Sequence, residues 1–131
     1  MTEGNQRLTV LVADDEKVVR VGCRRILEAE GHSVAEAADG LEALALAEEQ
    51  RFDVVLLDLR MPGMGGTQVL DRLGARYPEL PVVVISGHAS RETETDCLER
   101  GAVAFVSKPF RSDDIVAVVG RAVKTKLAVT G

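Results

Sequence analysis

The chain has 131 residues, 46% of them hydrophobic, enough to fill one core of single-domain size. Sixteen basic against twenty-one acidic residues leave a net charge of −5, which excludes a generic electrostatic surface for nucleic acid. The two cysteines, Cys23 and Cys97, lack metal-ligand spacing, the N-terminus lacks the apolar segment of a secretory signal, and no run approaches the ~18 apolar residues of a membrane span. These features predict a soluble, cytoplasmic protein with reduced thiols and no contact with membrane.

Residues 1–7 read as a frayed arm, and the domain is expected over residues 8–125. Residues 8–13 form the first predicted strand, ending at Asp14-Asp15. A helical pattern follows on Val18, Val19, Ile26 and Leu27 and stops at Gly31. After a second strand at 33–37, Asp39 and Glu42 have the spacing of a capping box for a helix carrying Leu41, Leu44 and Leu46. The third strand, 54–58, is Val-Val-Leu-Leu closed by Asp58, and Leu59-Arg60-Met61-Pro62-Gly63 separates it from a helix starting near Gly66 to Gln68. A fourth strand at 82–86 ends at Ser86 and a fifth at 103–107 is followed by Lys108-Pro109-Phe110. Ser112 is the expected cap of the last helix, with Ile115, Val116, Val119 and Val123 on its buried face, and residues 126–131 read as a tail.

Five short strands alternating with five helices predict right-handed crossovers and an α/β fold, a three-layer α/β/α sandwich. Three of the strands are nearly continuous Val, Leu and Ile, as in a parallel sheet covered on both faces. A (βα)5 chain of this size suits the flavodoxin-like order 2-1-3-4-5. That order makes strands one and three neighbours, so Asp14, Asp15 and Asp58 meet at one carboxyl-terminal edge.

Three carboxylates brought together must share protons or bind a cation. An all-oxygen donor set open to water favours Mg²⁺, with Mn²⁺ as a substitute. Helix capping is the competing reading for Asp14 and Asp15, but Asp58 lies too far from the next helix to serve as its cap. Lys108 follows a strand and faces the same edge; it is either an exposed terminal charge or the cation that neutralises a carboxylate and holds a transferred phosphoryl group. Its bond to Pro109 is open to either isomer. Ser86 is either a turn residue or a hydroxyl donor to a phosphoryl oxygen.

Taken together, Val12-Ala13-Asp14-Asp15-Glu16, Asp58-Leu59-Arg60-Met61-Pro62-Gly63-Met64, Ile85-Ser86-Gly87-His88 and Lys108-Pro109-Phe110 resemble the receiver domain of two-component response regulators, over about residues 8–123. The resemblance implies that Asp58 is phosphorylated and that Asp15, Asp58 and the Arg60 carbonyl bind Mg²⁺ directly, Asp14 acting through a water. It makes Lys108 the phosphoryl contact, Ser86 the switch hydroxyl and Phe105 the switch aromatic, a role competing with that of an ordinary strand Phe. It places the tuning of phosphoryl lifetime on Arg60 and His88, and the output on helix four, strand five and helix five, about residues 90–126. The implied partners are a histidine kinase or histidine phosphotransfer protein and an effector protein or linked output domain, without direct nucleic-acid binding; a phosphorylation-dependent dimer is compatible with it. Lys17, Val18, Arg20, Val21 and Arg24 on helix one are candidate kinase contacts, or simply a solvated face. Gly65 departs from the family pattern where an acid is common, which affects the capping of the loop before helix three.

Two other readings compete. An aspartyl-phosphate hydrolase of the haloacid dehalogenase type also uses a strand-end Asp, Mg²⁺ and a lysine, but wants a second acid where this chain has Arg60. A non-phosphorylated flavodoxin-like binding module would want a phosphate-binding loop after strand one, where Asp14-Asp15-Glu16 repel phosphate. The favoured expectation is a phosphorylation switch that resets by self-dephosphorylation, not a multiple-turnover enzyme.

Overall fold

The strands richest in Val, Leu and Ile occupy the middle of the sheet. In the computed structural model, which describes residues 6–130 with side chains through Thr125, these are β1 (Thr9–Ala13), β3 (Val54–Asp58) and β4 (Val82–Ser86). β2 (Ser33–Ala37) and β5 (Ala104–Ser107) close the two edges, all pairs are parallel, and the order is β2-β1-β3-β4-β5. Every residue of β3 and β4 is buried, whereas the edge strands keep exposed or half-buried positions, as a sheet covered on both faces requires.

Strand alternation sorts the core into two layers. Val10, Val12, Val54, Leu56 and Val83 pack under α1 (Lys17–Ala29) and α5 (Ser112–Thr130). Leu11, Ala13, Val55, Leu57 and Val84 pack under α2 (Gly40–Glu49), α3 (Gly66–Arg76) and α4 (Arg91–Glu99). Val10 pairs with Val54 and Val12 with Leu56 in register. Continuing both rows by two residues brings Asp14 and Asp58 side by side at the carboxyl edge, on the α1/α5 face.

The helix punctuation follows the sequence with local exceptions. Gly31 ends the α1 turn with φ at +92°, a conformation only glycine adopts without strain. Asp39 accepts a hydrogen bond from Glu42 N at 2.8 Å, while the Glu42 carboxylate reaches back one residue further than a capping box requires, to Ala38 N at 2.7 Å. β1 and β5 begin at Thr9 and Ala104, one residue later than expected, because Leu8 and Val103 lie beyond the regular ladder. Leu41 does not join the core: it is 66% exposed, and the small Ala43 and Ala47 let α2 lie close to the sheet. Ser112 is the first helical residue of α5 and not its cap; Asp114 caps the turn by accepting from Arg111 N at 2.9 Å. On α5, Val118 and Ala122 join Ile115 and Val119 as the buried set, with Val116 and Val123 half-buried. The α5 backbone continues to Thr130, past the tail boundary expected at 126, and most of the expected N-terminal arm lies outside the described residues.

The loop after Asp58 is held by a backbone contact that tolerates no side chain. Gly66 N donates to Leu59 O at 3.0 Å, and a Cβ on Gly66 would lie 2.4 Å from Leu59 Cα and 2.6 Å from Asp58 O. Gly65, the N-cap of α3, has an extended backbone with open space around it and no side chain to satisfy the first helical N–H groups. The two neighbouring glycines should therefore respond in opposite directions. Gly66→Ala is expected to destabilise the fold by about 2–4 kcal/mol and Gly65→Ser to stabilise it by a few tenths of a kcal/mol, both read by urea denaturation.

Candidate functional site

Three strands deliver the central groups to one edge. Asp14 follows β1, Asp58 ends β3, and Lys108 follows β5, tied to the end of β4 by a hydrogen bond from its N–H to Ser86 O at 2.8 Å. Asp14 is fully buried and Asp58 is 3% exposed. Between them lies the Lys108 ammonium, 2.9 Å from Asp14 Oδ2 and 3.6 Å from Asp58 Oδ2, with Glu16 Oε1 3.1 Å away on the solvent side.

Burial and the neighbouring Asp14 charge push the Asp58 carboxyl up from its ordinary 3.8 to about 6, against the hydrogen bond from Arg60 N at 3.2 Å and the Lys108 charge, which favour ionisation. Burial disfavours the Lys108 ammonium, but its contacts with Asp14 and Glu16 outweigh that cost and hold it protonated more firmly than usual. Cys23, beneath this site on α1, is free and buried; burial, helped by Asp14, raises its thiol to about 11, which makes it inert at neutral pH. Cys97 is likewise free and buried.

The donor set fits a hard divalent cation. Asp14 Oδ1 accepts from Glu16 N at 2.9 Å, and the buried Oδ2 has the Lys108 ammonium, 2.9 Å away, as its charge partner. One ammonium cannot neutralise Asp14, Glu16 and Asp58 together, and a divalent cation at the edge would offset the excess negative charge. Carboxylate oxygens of Asp14, Asp15 and Glu16 come within 4.8 Å of one another. Helix capping accounts for only part of this group: Asp14 Oδ1 takes the N–H of Glu16, the N-cap of α1, but Glu16 makes no side-chain cap hydrogen bond and the first turn contains no acid.

Glu16 is the site residue that sequence reasoning passed over. It stands third in an Asp-Asp-Glu run, and that run was its only signal. The compact acid group joins it to Asp14 and Asp15, whereas Asp58 stands on the far side of the Lys108 ammonium.

The remaining candidates surround this centre. Ser86 is buried, and its Oγ accepts from His88 N at 3.0 Å. Arg60 and His88 are both exposed at the mouth. Phe105 is half-buried on the edge strand β5, packed against the α2–α4 layer of the core. The Lys108–Pro109 bond is cis. Of the α1 residues weighed as kinase contacts, Val18 is 79% exposed, but Arg20 and Arg24 are engaged internally with Glu36.

Residues 10–120 match the family model of the response regulator receiver domain. The nitrogen assimilation regulatory protein NtrX of Azorhizobium caulinodans is 38% identical over 118 residues, which make up 88% of this chain and 26% of that protein. The crystal structure of the receiver domain of NtrX from Brucella abortus matches with a TM-score of 0.85 at 40% identity, covering 88% of this chain and 98% of that one. A CheY-like response regulator receiver domain protein from Methanospirillum hungatei JF-1 matches with a TM-score of 0.88 at 28% identity, covering 94% and 98% of the two chains. The chain spans about a quarter of the length of the curated relatives it matches.

The raised Asp58 carboxyl makes a signed prediction. The fold binds this proton more tightly than the unfolded chain does, so the group favours folding below about pH 4, and that contribution is lost as pH rises through about 6. Without divalent cation, Asp58→Asn should gain about 1–3 kcal/mol over wild type at pH 7, a gain that vanishes near pH 4. Urea unfolding at the two pH values checks it; an equal gain at both would show that ionisation is not the cause.

Proposed function

Because this chain belongs to the response regulator receiver domain family, a signalling module of two-component phosphorelays, we propose that Asp58 is its phosphoryl acceptor and that Lys108, Ser86 and an acidic cation site operate on it. The observation that carries this reading is the Lys108 ammonium between Asp14 and Asp58, 2.9 and 3.6 Å from their carboxylates.

In the proposed reaction an Asp58 carboxylate oxygen attacks the phosphorus of a phosphohistidine on a histidine kinase or histidine phosphotransfer protein. The O–P bond forms as the P–N bond breaks, and the imidazole nitrogen keeps the electron pair. Asp58 is mostly ionised near pH 7 despite its raised proton affinity, so the nucleophile is present. The transferred group spreads negative charge over three oxygens that the fold must neutralise without rearranging. Lys108 already stands at the acceptor and is held charged by Asp14 and Glu16. Ser86 supplies a hydroxyl whose oxygen is fixed by His88 N, leaving its proton to donate. Asp14, Asp15, Asp58 and the Arg60 carbonyl, joined by Glu16, would hold Mg²⁺, with Mn²⁺ as a substitute; when bound, the cation supplies charge neutralisation at the phosphoryl oxygens.

The output is assigned to α4, β5 and α5. α4 buries only Cys97 of its nine residues, so it has little core anchorage to resist displacement. Phe105 is half-buried on β5 and would turn inward as Ser86 moves toward the phosphoryl group. The readers of that surface are an effector protein or a linked output domain, and a phosphorylation-dependent dimer would use the same face. The proposed site of action is cytoplasmic, a reading that rests on the family; no helix of the described residues is long and apolar enough to cross a membrane.

A hydrolase role is not favoured. Arg60 stands where a dehalogenase-type phosphatase needs its second acid, so the acyl phosphate is a stored signal that decays once per cycle. A flavodoxin-like binding role is likewise disfavoured by the Asp14–Glu16 acids at the end of β1.

Mass spectrometry of the intact chain after acetyl phosphate and Mg²⁺ should find one phosphoryl adduct, absent in Asp58→Asn; an adduct that survives the substitution would sink the assignment. Arg60 and His88, each exposed and two residues beyond Asp58 and Ser86 respectively, should govern access of the hydrolytic water. Alanine at each is expected to alter phosphoryl lifetime several-fold, and unchanged lifetimes in both would remove them from that role.

A further inference from the structure

Asp14 is gripped by its backbone as well as by its side chain. Its N–H donates to Ala37 O at 3.0 Å, and its carbonyl accepts from an Arg20 guanidinium nitrogen at 2.8 Å. The same guanidinium uses Nε to pair with Glu36 Oε1 at 3.2 Å, and Arg24 occupies the other Glu36 oxygen. Arg20 and Glu36 are mostly covered, with side chains 15% and 18% exposed, so solvent screens the pair less than an open surface bridge. Asp15 differs from Asp14: it is exposed, and its carboxylate makes no hydrogen bond or ion pair among the described residues. With no side-chain partner to place it, the position from which that carboxylate starts is set by the backbone that carries it. The Asp14–Asp15 peptide is planar, so a donor that fixes the Asp14 carbonyl also fixes the Asp15 N–H and the origin of its side chain.

We propose that Arg20, braced by Glu36, is a positioning residue for the cation site, holding the Asp14–Asp15 peptide so that Asp15 presents its carboxylate to a divalent cation. This rests on the assignment of Asp14 and Asp15 to cation binding. The fold does not depend on the contact: β1 and β2 pair along their whole length, and α1 is anchored through Cys23 and Leu27. The arm that reaches the loop ends on a backbone carbonyl, so its directional hydrogen bond acts on peptide orientation. Lysine is a poor substitute, because the contact uses two donors of one rigid plane, Nε toward β2 and a terminal nitrogen toward the loop.

The test is Mg²⁺ binding to the whole chain, followed by calorimetry and by amide shifts, together with the Mg²⁺ dependence of phosphorylation by acetyl phosphate. Arg20→Ala should weaken Mg²⁺ binding about tenfold, the lower end of the loss usual when a group orienting a metal ligand is removed. Arg20→Lys should recover little of it. Glu36→Gln should produce a smaller loss in the same direction, and the double variant should be no worse than Arg20→Ala alone. The phosphorylation rate of Arg20→Ala should return to wild type at saturating Mg²⁺, with the melting temperature in the absence of Mg²⁺ little changed. Wild-type Mg²⁺ affinity in Arg20→Ala overturns the proposal, and so does a rate deficit that saturating Mg²⁺ does not remove. Should Arg20→Ala fail to fold, Glu36→Gln carries the test, and wild-type affinity there overturns the proposal equally. Failure of the wild-type chain to bind Mg²⁺ defeats the cation assignment itself, an outcome distinct from a wild-type chain that binds and an Arg20 variant that binds equally well.

Discussion

Two buried carboxylates standing side by side over one ammonium are the constraint on which the rest of this structure depends. Asp14 and Asp58 sit in neighbouring parallel strands at the same level, with almost no solvent to screen them. Lys108 neutralises one charge, and because it is drawn closer to Asp14 and Glu16 than to Asp58, Asp58 is left under-compensated. Burial first, and then the neighbouring Asp14 charge, raises the proton affinity of Asp58 beyond what Lys108 and the Arg60 N–H offset. A site with more negative charge than it can neutralise is poised for a cation, and a carboxylate that is costly to keep ionised is one whose environment has room for added positive partners.

Much of the remaining architecture holds this edge open and in register. The parallel order brings three strand ends to one level, so the groups come from separate elements and move only if the sheet does. The loop after Asp58 is pinned by Gly66 against Leu59, which fixes where the Arg60 backbone lies relative to the acceptor. On the other side the Asp14 peptide is held by Ala37 and Arg20. The rigid elements thus carry the chemistry. The weakly anchored α4 and the edge strand β5 remain free to respond to it, a division suited to a two-state switch.

The reading of charged residues on α1 shows how context changes a side chain's role. Along the helix, Arg20 and Arg24 look like members of a solvated basic face. In the folded chain both turn toward Glu36 on β2, which leaves Lys17 and Val18 as the exposed candidates for partner contact. A basic residue that braces the acidic loop is not free to read a partner's surface.

Period and punctuation in the sequence were enough to determine the element order and the burial of β3 and β4, while the strand order, and with it the gathering of Asp14, Asp58, Ser86 and Lys108 at one edge, came from choosing between the two orders common for such folds. Element order and strand burial depend on local residue patterns, which a linear chain carries in full. Tertiary structure alone decided which acids cluster most closely, that Glu16 joins Lys108, that Leu41 faces solvent while Ala43 and Ala47 face the sheet, that Asp114 and not Ser112 caps α5, and that Arg20 grips the Asp14 carbonyl. Each depends on side-chain direction or on contacts between residues far apart in sequence, such as Lys108 and Glu16, and no local pattern encodes an angle or a distance between two elements.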